Sequence, residues 1–177
     1  GDPLVVRDEG IAFTGAATTF ADLMSVGQAS DAVIDRPSRG DQLAYILFTS
    51  GSTGEPKGAM ITRDGMLNNM LAKVEPLGLG PDDVIAQTAP SCFDISVWQT
   101  LTGPLVGACT QIISDHMVRD PDLLIETLDR SGATIFEPVP SLMRALCETL
   151  DPSTSAASRP LSRMRWTLPT GEALSPG

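Results

Sequence analysis

The chain has 177 residues, 42% of them apolar, with 22 acidic against 12 basic side chains and a formal net charge of −10. This is the length of about one domain with material for a core. The acidic excess argues against a nucleic-acid or anionic-membrane surface as the main partner, but not against a local phosphate site built from backbone N–H groups. Cys92, Cys109 and Cys147 are odd in number and form no CxxC pair, and His116 is the only imidazole, so neither a disulfide framework nor a His/Cys zinc site is expected. No apolar run approaches the ~18 residues of a membrane span. The start at Gly1-Asp2-Pro3 carries no signal-peptide pattern, and both ends read as cuts in a longer cytoplasmic chain.

In chain order, Leu4–Val6 and Ile11–Phe13 read as a short hairpin around Asp8-Glu9-Gly10, and Thr19 starts a helix through Met24. Residues 28–42 and 151–160, rich in Ser, Asp, Pro and Gly or in Ser and Thr, read as loops. From Leu43 strands alternate with helices. Strands are expected at Leu43–Phe48, Val84–Thr88, Cys109–Ile113, Ala133–Phe136 and Met164–Leu168. Helices are expected at Arg63–Val74 behind a Thr62 cap, at Phe93–Leu105, from Pro121 to Arg130 with Gly132 as the stop, and at Ser141–Leu150. The pattern predicts an α/β fold with sheets flanked by helices. Met66, Met70, Met143, Leu146 and Trp166 read as core, Asp82-Asp83 as a turn, and His116 as a solvated residue in the loop Ser114–Arg119.

The most informative stretch is Thr49-Ser50-Gly51-Ser52-Thr53-Gly54-Glu55-Pro56-Lys57-Gly58, directly after an apolar strand. Glycines let backbone N–H groups turn toward an anion, hydroxyls add neutral donors, and lysine adds a mobile positive charge. These are the parts of a polyphosphate site, although composition alone fits a flexible polar hairpin equally well. It is not a Walker A loop, because Pro56-Lys57-Gly58 stands where that pattern has Gly-Lys-Ser/Thr. A second stretch, Phe93-Asp94-Ile95-Ser96-Val97-Trp98-Gln99, puts a carboxylate at a helix start. Asp94 there either caps the helix or faces a ligand cation.

The string LAYILFTSGSTGEPKG resembles the phosphate-binding motif of the adenylate-forming superfamily, which includes acyl-CoA ligases, luciferases and the adenylation domains of nonribosomal peptide synthetases. FDISVWQ resembles the FDxSVWE/Q signature of the peptide-synthetase branch, and Gly171-Glu172-Ala173-Leu174 resembles the GGEAL segment against adenine, with Thr170 in place of its first glycine. The likeness covers roughly residues 42–175. It implies a partial adenylation domain, spanning 1–177 and truncated at both ends, in the large N-terminal subdomain of such an enzyme. Implied phosphate ligands are Thr49, Ser50, Gly51, Ser52, Thr53, Gly54, Lys57 and Gly58, of which Thr49 and Lys57 also count as catalytic. Gly171, Glu172 and Ala173 are implied on the nucleotide. Asp94, Ile95, Trp98, Glu137, Leu168 and Thr170 are implied on the amino acid, with Asp94 on its α-ammonium.

The implied reaction joins an amino acid to ATP with Mg²⁺, releases pyrophosphate, and passes the aminoacyl group to the phosphopantetheine thiol of a carrier domain. The implied partners are that peptidyl carrier domain and a condensation domain, with no nucleic acid or membrane. Relatives often carry a histidine in the stretch matching Thr62–Leu71; none stands here, so no catalytic histidine is assigned. The ribose-binding Asp, Mg²⁺-binding Glu and C-terminal catalytic Lys of the family are expected beyond Gly177, no metal ligand is assigned within the chain, and the isolated chain is expected to be inactive. Glu137, ending an apolar run, is costly as a buried anion unless paired. It points to a second substrate ammonium, as in 2,4-diaminobutyrate or ornithine, or else to solvent or a protein arginine such as Arg144. The competing readings are an acyl- or aryl-CoA ligase, which needs no partner for an α-ammonium, and a non-catalytic adenylation-like module.

Overall fold

The computed structural model describes residues 5–7, 17–19, 38–49, 55–150 and 161–173. Contacts divide the chain into two units, Gly1–Ser38 and Arg39–Gly177. In the first, β1 (Val5–Arg7) pairs in parallel with β2 (Ala17–Thr19). The hairpin expected around Asp8-Glu9-Gly10 needs Ile11–Phe13 as its second strand and so falls outside the described residues, while Thr19 ends a strand where a helix start was expected. Ile11–Phe13, residues 20–37 and the loop 151–160 lie outside the described residues.

The second unit opens with an antiparallel hairpin, β3 (Leu43–Thr49) against β4 (Lys57–Thr62). The loop expected over Thr49–Gly58 is thus shorter than its composition suggests. Thr49 pairs with Lys57 and Phe48 with Gly58, so both ends of that stretch are strand. Side chains alternate across a strand. Tyr45, Leu47 and Thr49 on β3 and their partners Ile61 and Ala59 on β4 share one face, while Ile46, Phe48 and Met60 occupy the other and are exposed. Gly58 has no room for a side chain, because a Cβ there would lie 2.9 Å from Ile46 Cγ2.

Helix α1 (Arg63–Leu77) follows, and Thr62 accepts a hydrogen bond from the Gly65 N–H as its cap. Beyond it, β5 (Val84–Gln87), β6 (Cys109–Ile112), β7 (Ile135–Phe136) and β8 (Trp166–Thr167) form an all-parallel sheet in the order β6-β5-β7-β8. They are joined by α2 (Asp94–Val106), the one-turn α3 (Asp115–Val118), α4 (Pro121–Ser131) and α5 (Pro140–Thr149). His116 lies in α3 and not in a loop, with its Nδ1 3.0 Å from Ser114 Oγ. Gly132 stops α4 at φ 66°, a left-handed conformation that glycine adopts without a Cβ clash.

Period-two alternation splits the core across the sheet. Ile85 and Ile135 face Met70, Leu77 and Trp98 on the side of α1 and α2. Their neighbours Ala86 and Phe136 face Leu124, Leu128 and Leu146 on the side of α4 and α5. From β5 the chain crosses to β6 on one side, and it then returns to β7 and β8 on the other. The strand order therefore reverses between β5 and β7, and a crevice opens beyond the carboxyl ends of these strands. Met143 is only half-buried, and Trp166 is 42% exposed against its expectation as core; its indole N–H reaches the Leu77 carbonyl at 3.1 Å.

Asp82-Asp83 was expected to be only a turn, but Asp83 is a buried anchor. Its carboxylate accepts from Gly80 N–H at 3.0 Å, from Thr134 Oγ1 at 2.6 Å and from Arg165 Nη1 at 2.7 Å. Burial works against its charge, but the bonds from Thr134, Gly80 and Arg165 outweigh that and hold its pKa below the ordinary carboxylate value. One side chain thereby ties the start of β5 to β7 and to the residue before β8.

Candidate functional site

A cavity of about 720 Å³ lies at this switch point. The inner face of the β3–β4 hairpin supplies Tyr45, Leu47, Thr49, Ala59 and Ile61. Helix α1 supplies Gly65, Asn69 and Lys73, spaced by four residues and so on one helical face. The loop after β5 and the start of α2 supply Cys92, Phe93, Asp94, Ile95 and Trp98, and the segments after β7 and β8 supply Glu137 and Thr170.

Asp94 is the first residue of α2, and the cap position is Phe93. Among the described residues the Asp94 carboxylate accepts only from its neighbour's amide, Ile95 N–H, at 2.9 Å, and it stands exposed at the cavity wall. Its position at a helix start is firm because Ser96 Oγ donates to the Phe93 carbonyl at 2.7 Å. Gln99, fully buried, pins the same region. Its Oε1 accepts from Thr88 N–H at 3.2 Å and Ala89 N–H at 3.0 Å, and its Nε2 donates to the Glu137 carbonyl at 3.2 Å. Gln99 joins the loop after β5 to the end of β7, which fixes the backbone from which Asp94 and Glu137 depart.

Glu137 is half-buried, and among the described residues its Oε2 is enclosed without a hydrogen-bond partner, as is Trp98 Nε1. Burial raises the Glu137 pKa, and Asp94 adds to the rise; Lys73 opposes it, as does the nearby Trp98 indole N–H, which falls short of hydrogen-bond geometry. Lys73 is the protein cation facing this carboxylate, where an arginine such as Arg144 was the expected alternative. Its ammonium lies 4.8 Å from the centroid of the Trp98 ring, within cation–π range. Burial lowers the Lys73 pKa, while Glu137 and Asp94 pull the other way. The Tyr45 phenol is raised by burial and by Asp94. Lys73 was not singled out from the sequence, although the chain has only two lysines, Lys57 and Lys73, and the second follows Gly65 and Asn69 at helical spacing.

The remaining candidates fall at the edges. Thr49 Oγ1 donates to the Lys57 carbonyl at 3.4 Å across the hairpin stem, beside Gly58. Ser50, Gly51, Ser52, Thr53 and Gly54 lie outside the described residues. Leu168 packs beside Trp98 in the core and does not line the cavity. Thr170 N–H bonds to the Pro138 carbonyl at 3.0 Å. Gly171 turns at φ 84°. The Glu172 side chain caps α5, accepting from Ser141 N–H at 3.0 Å and Ser141 Oγ at 2.9 Å. Ala173 is exposed. Among the described residues no group of three or more His, Cys, Asp or Glu could hold a metal ion, the three cysteines are free, and no helix is long and apolar enough to cross a membrane.

The hairpin stem at Thr49 and a carboxylate-bearing pocket thus meet at one switch point, and the chain belongs to the family of AMP-binding enzymes, whose model matches residues 4–177. It is similar to a mycosubtilin synthase from Bacillus subtilis, 30% identical over 95% of this chain and 6% of that protein. It is also similar to zwittermicin A synthase ZmaJ of Bacillus cereus, 34% identical over 80% of this chain and 26% of that protein. Enterobactin synthase component F of Escherichia coli K12 is 35% identical over 74% of this chain and 10% of its own length. The chain therefore spans a small part of the curated relatives it matches.

Among solved structures, the nonribosomal peptide synthetase FmoA3 has the same fold, with a TM-score of 0.80 at 22% identity over 96% of this chain and 18% of its own. The Vibrio cholerae adenylation domain AlmE, solved with glycyl-adenosine-5′-phosphate, aligns with a TM-score of 0.59 at 22% identity over 66% of this chain and 22% of its own.

Proposed function

We propose that the chain is the substrate-binding part of an enzyme that activates an amino acid with ATP. In this reading the amino-acid carboxylate attacks the α-phosphorus of ATP, the bond to pyrophosphate breaks, and an aminoacyl-adenylate forms. A carrier-domain pantetheine thiol then takes the acyl group and AMP leaves. The observation that carries the reading is Asp94, a carboxylate on the cavity wall whose one hydrogen bond among the described residues is to the adjacent amide. An α-ammonium is the partner such a group lacks. Thr49 on the same cavity, with Lys57 paired opposite it, supports phosphates entering from the hairpin side. Hydroxyl and ammonium donors suit phosphate oxygens, and the protein's task is alignment and charge stabilisation. Mg²⁺, riding on the nucleotide, would neutralise part of that charge. Gly171 to Ala173 are the proposed nucleotide contacts, with Glu172 acting through its cap on α5. A condensation domain and a cytoplasmic setting belong to the same reading.

Glu137 in the same cavity would suit a second substrate ammonium, as in 2,4-diaminobutyrate or ornithine, where that ammonium takes the place of Lys73 beside it. The test is amino-acid-dependent ATP–pyrophosphate exchange by the full-length parent protein, with diaminobutyrate, ornithine, lysine, a neutral amino acid and an aryl acid. Exchange with an amino acid, falling about a hundredfold or more in Asp94→Ala, is expected from loss of a charge-assisted contact of a few kcal/mol. Exchange only with an acid lacking an amino group would assign the chain to an acyl- or aryl-CoA ligase. No exchange with any acid would leave a non-catalytic module.

A further inference from the structure

The side-chain end of the cavity holds more charge than its proposed substrate explains. Asp94 and Glu137 contribute two carboxylates, and Lys73 contributes one ammonium. An α-ammonium on Asp94 leaves Glu137 and Lys73 facing each other as opposite charges supplied by the protein itself. A second substrate ammonium on Glu137 would leave Lys73 as an uncompensated charge in a half-buried site, which is costly. The polar residues on this wall point the same way: a hydroxyl or amide can donate to the Glu137 carboxylate and accept from the Lys73 ammonium, whereas a second ammonium can only donate.

We propose that Lys73 is a specificity-determining residue: it supplies from the protein the positive charge that Glu137 requires, so that the pocket accepts an amino acid with a neutral, hydrogen-bonding side chain, and a diamino acid must displace it. The inference rests on the amino-acid-activating reading and refines its substrate class. Three observations carry it. Lys73 is on the cavity face of α1, in line with Gly65 and Asn69. Its ammonium is seated over the Trp98 ring, and the side chain is half-buried. No other Lys, Arg or His lines the cavity among the described residues.

The test is pyrophosphate exchange by the full-length parent protein with two near-isosteres, homoserine and 2,4-diaminobutyrate, which differ in a hydroxyl against an ammonium. The readout is the ratio of their kcat/KM values in the native protein, in Lys73→Met and in Lys73→Arg. In Lys73→Met the ratio should move toward diaminobutyrate by about tenfold or more, since a competing unit charge a few ångströms away is removed. Lys73→Arg should keep the native ratio within about threefold, and adding Glu137→Gln to Lys73→Met should abolish the gain. Equal loss with both substrates would make Lys73 a merely structural residue and overturn the proposal, as would an unchanged ratio. If Lys73→Met does not accumulate, the same shift is required of Lys73→Gln, and its absence there counts equally against the proposal. Failure of the native protein to exchange with any amino acid would instead overturn the activity on which the inference rests.

Discussion

At the scale of single residues, Gln99 separates positioning from binding. It reaches no cavity surface, yet it holds Thr88, Ala89 and the Glu137 carbonyl at once. Gln99→Leu leaves two buried N–H groups and one carbonyl unpaired, so the domain should lose about 2 kcal/mol or more in urea unfolding. Exchange should fall as well, because the backbone under Glu137 and the loop leading to Asp94 are released. Gln99→Glu keeps both acceptor bonds but buries a charge and turns an acceptor toward the Glu137 carbonyl, so its cost should ease on acidification, when a protonated carboxyl can donate again, and that of Gln99→Leu should not; equal response of the two to pH would show that side-chain shape, not hydrogen bonding, is what matters. Asp94 and Glu137 were legible in the sequence because one sits in a motif and the other is a lone carboxylate ending an apolar strand. Lys73 was not, since a lysine between Met70 and Val74 on an amphipathic helix reads as solvated face. Only the packing of α1 under the hairpin turns that face inward.

At the scale of elements, the strand–helix rhythm was legible from Leu43 onward because apolar runs and caps carry it locally. Thr62, Pro121 and Gly132 stand at the helix ends expected of them, while the first helix runs three residues past Val74 to Leu77. What escaped reading needed long-range pairing. Lys57–Thr62 is polar at its start and exposed through most of its length, and it is a strand only because Leu43–Thr49 supplies a partner. Trp166 looked like core by residue type, but its strand is at the sheet edge, where no further strand covers it among the described residues. The placement of α2 is equally non-local. Its Gly103 abuts β6 so closely that a Cβ would lie 2.5 Å from Thr110 Oγ1 and 3.2 Å from the Cys109 backbone. Gly103→Ala forces the helix away from the sheet, and overpacking of this kind costs about 1–3 kcal/mol. Because Asp94 and Trp98 ride on α2, the same variant should raise KM for the amino acid more than KM for ATP in exchange assays. A stability loss without that split would mean that β6 yields and the helix stays.

At the scale of the whole molecule, two enclosed carboxylates titrate in opposite directions, and the difference distinguishes scaffold from site. Asp83 is held below its ordinary pKa by Thr134, Gly80 and Arg165 in spite of burial, while Glu137 is raised by burial with its Oε2 unpartnered. A depressed carboxylate contributes stability that is fully present above the unfolded value near pH 4 and is lost as pH falls through its folded pKa. A raised one acts with the opposite sign: its proton is held more tightly in the folded state, so stability declines as pH rises through its folded pKa. Asp83→Asn should therefore be destabilised at pH 7 by about 2 kcal/mol, a figure kept modest because Arg165 is partly exposed, and the gap from the native chain should narrow below about pH 4. Glu137→Gln should cost no stability at pH 7, since it removes a charge the fold disfavours, and should converge with the native chain on acidification. Urea unfolding followed by the fluorescence of Trp98, buried beside Glu137, reads both variants at pH 7 and pH 3. If Glu137→Gln were the more damaged of the two at pH 7, the attraction of Lys73 would outweigh burial at Glu137, and its pKa would be held down in the fold and not raised.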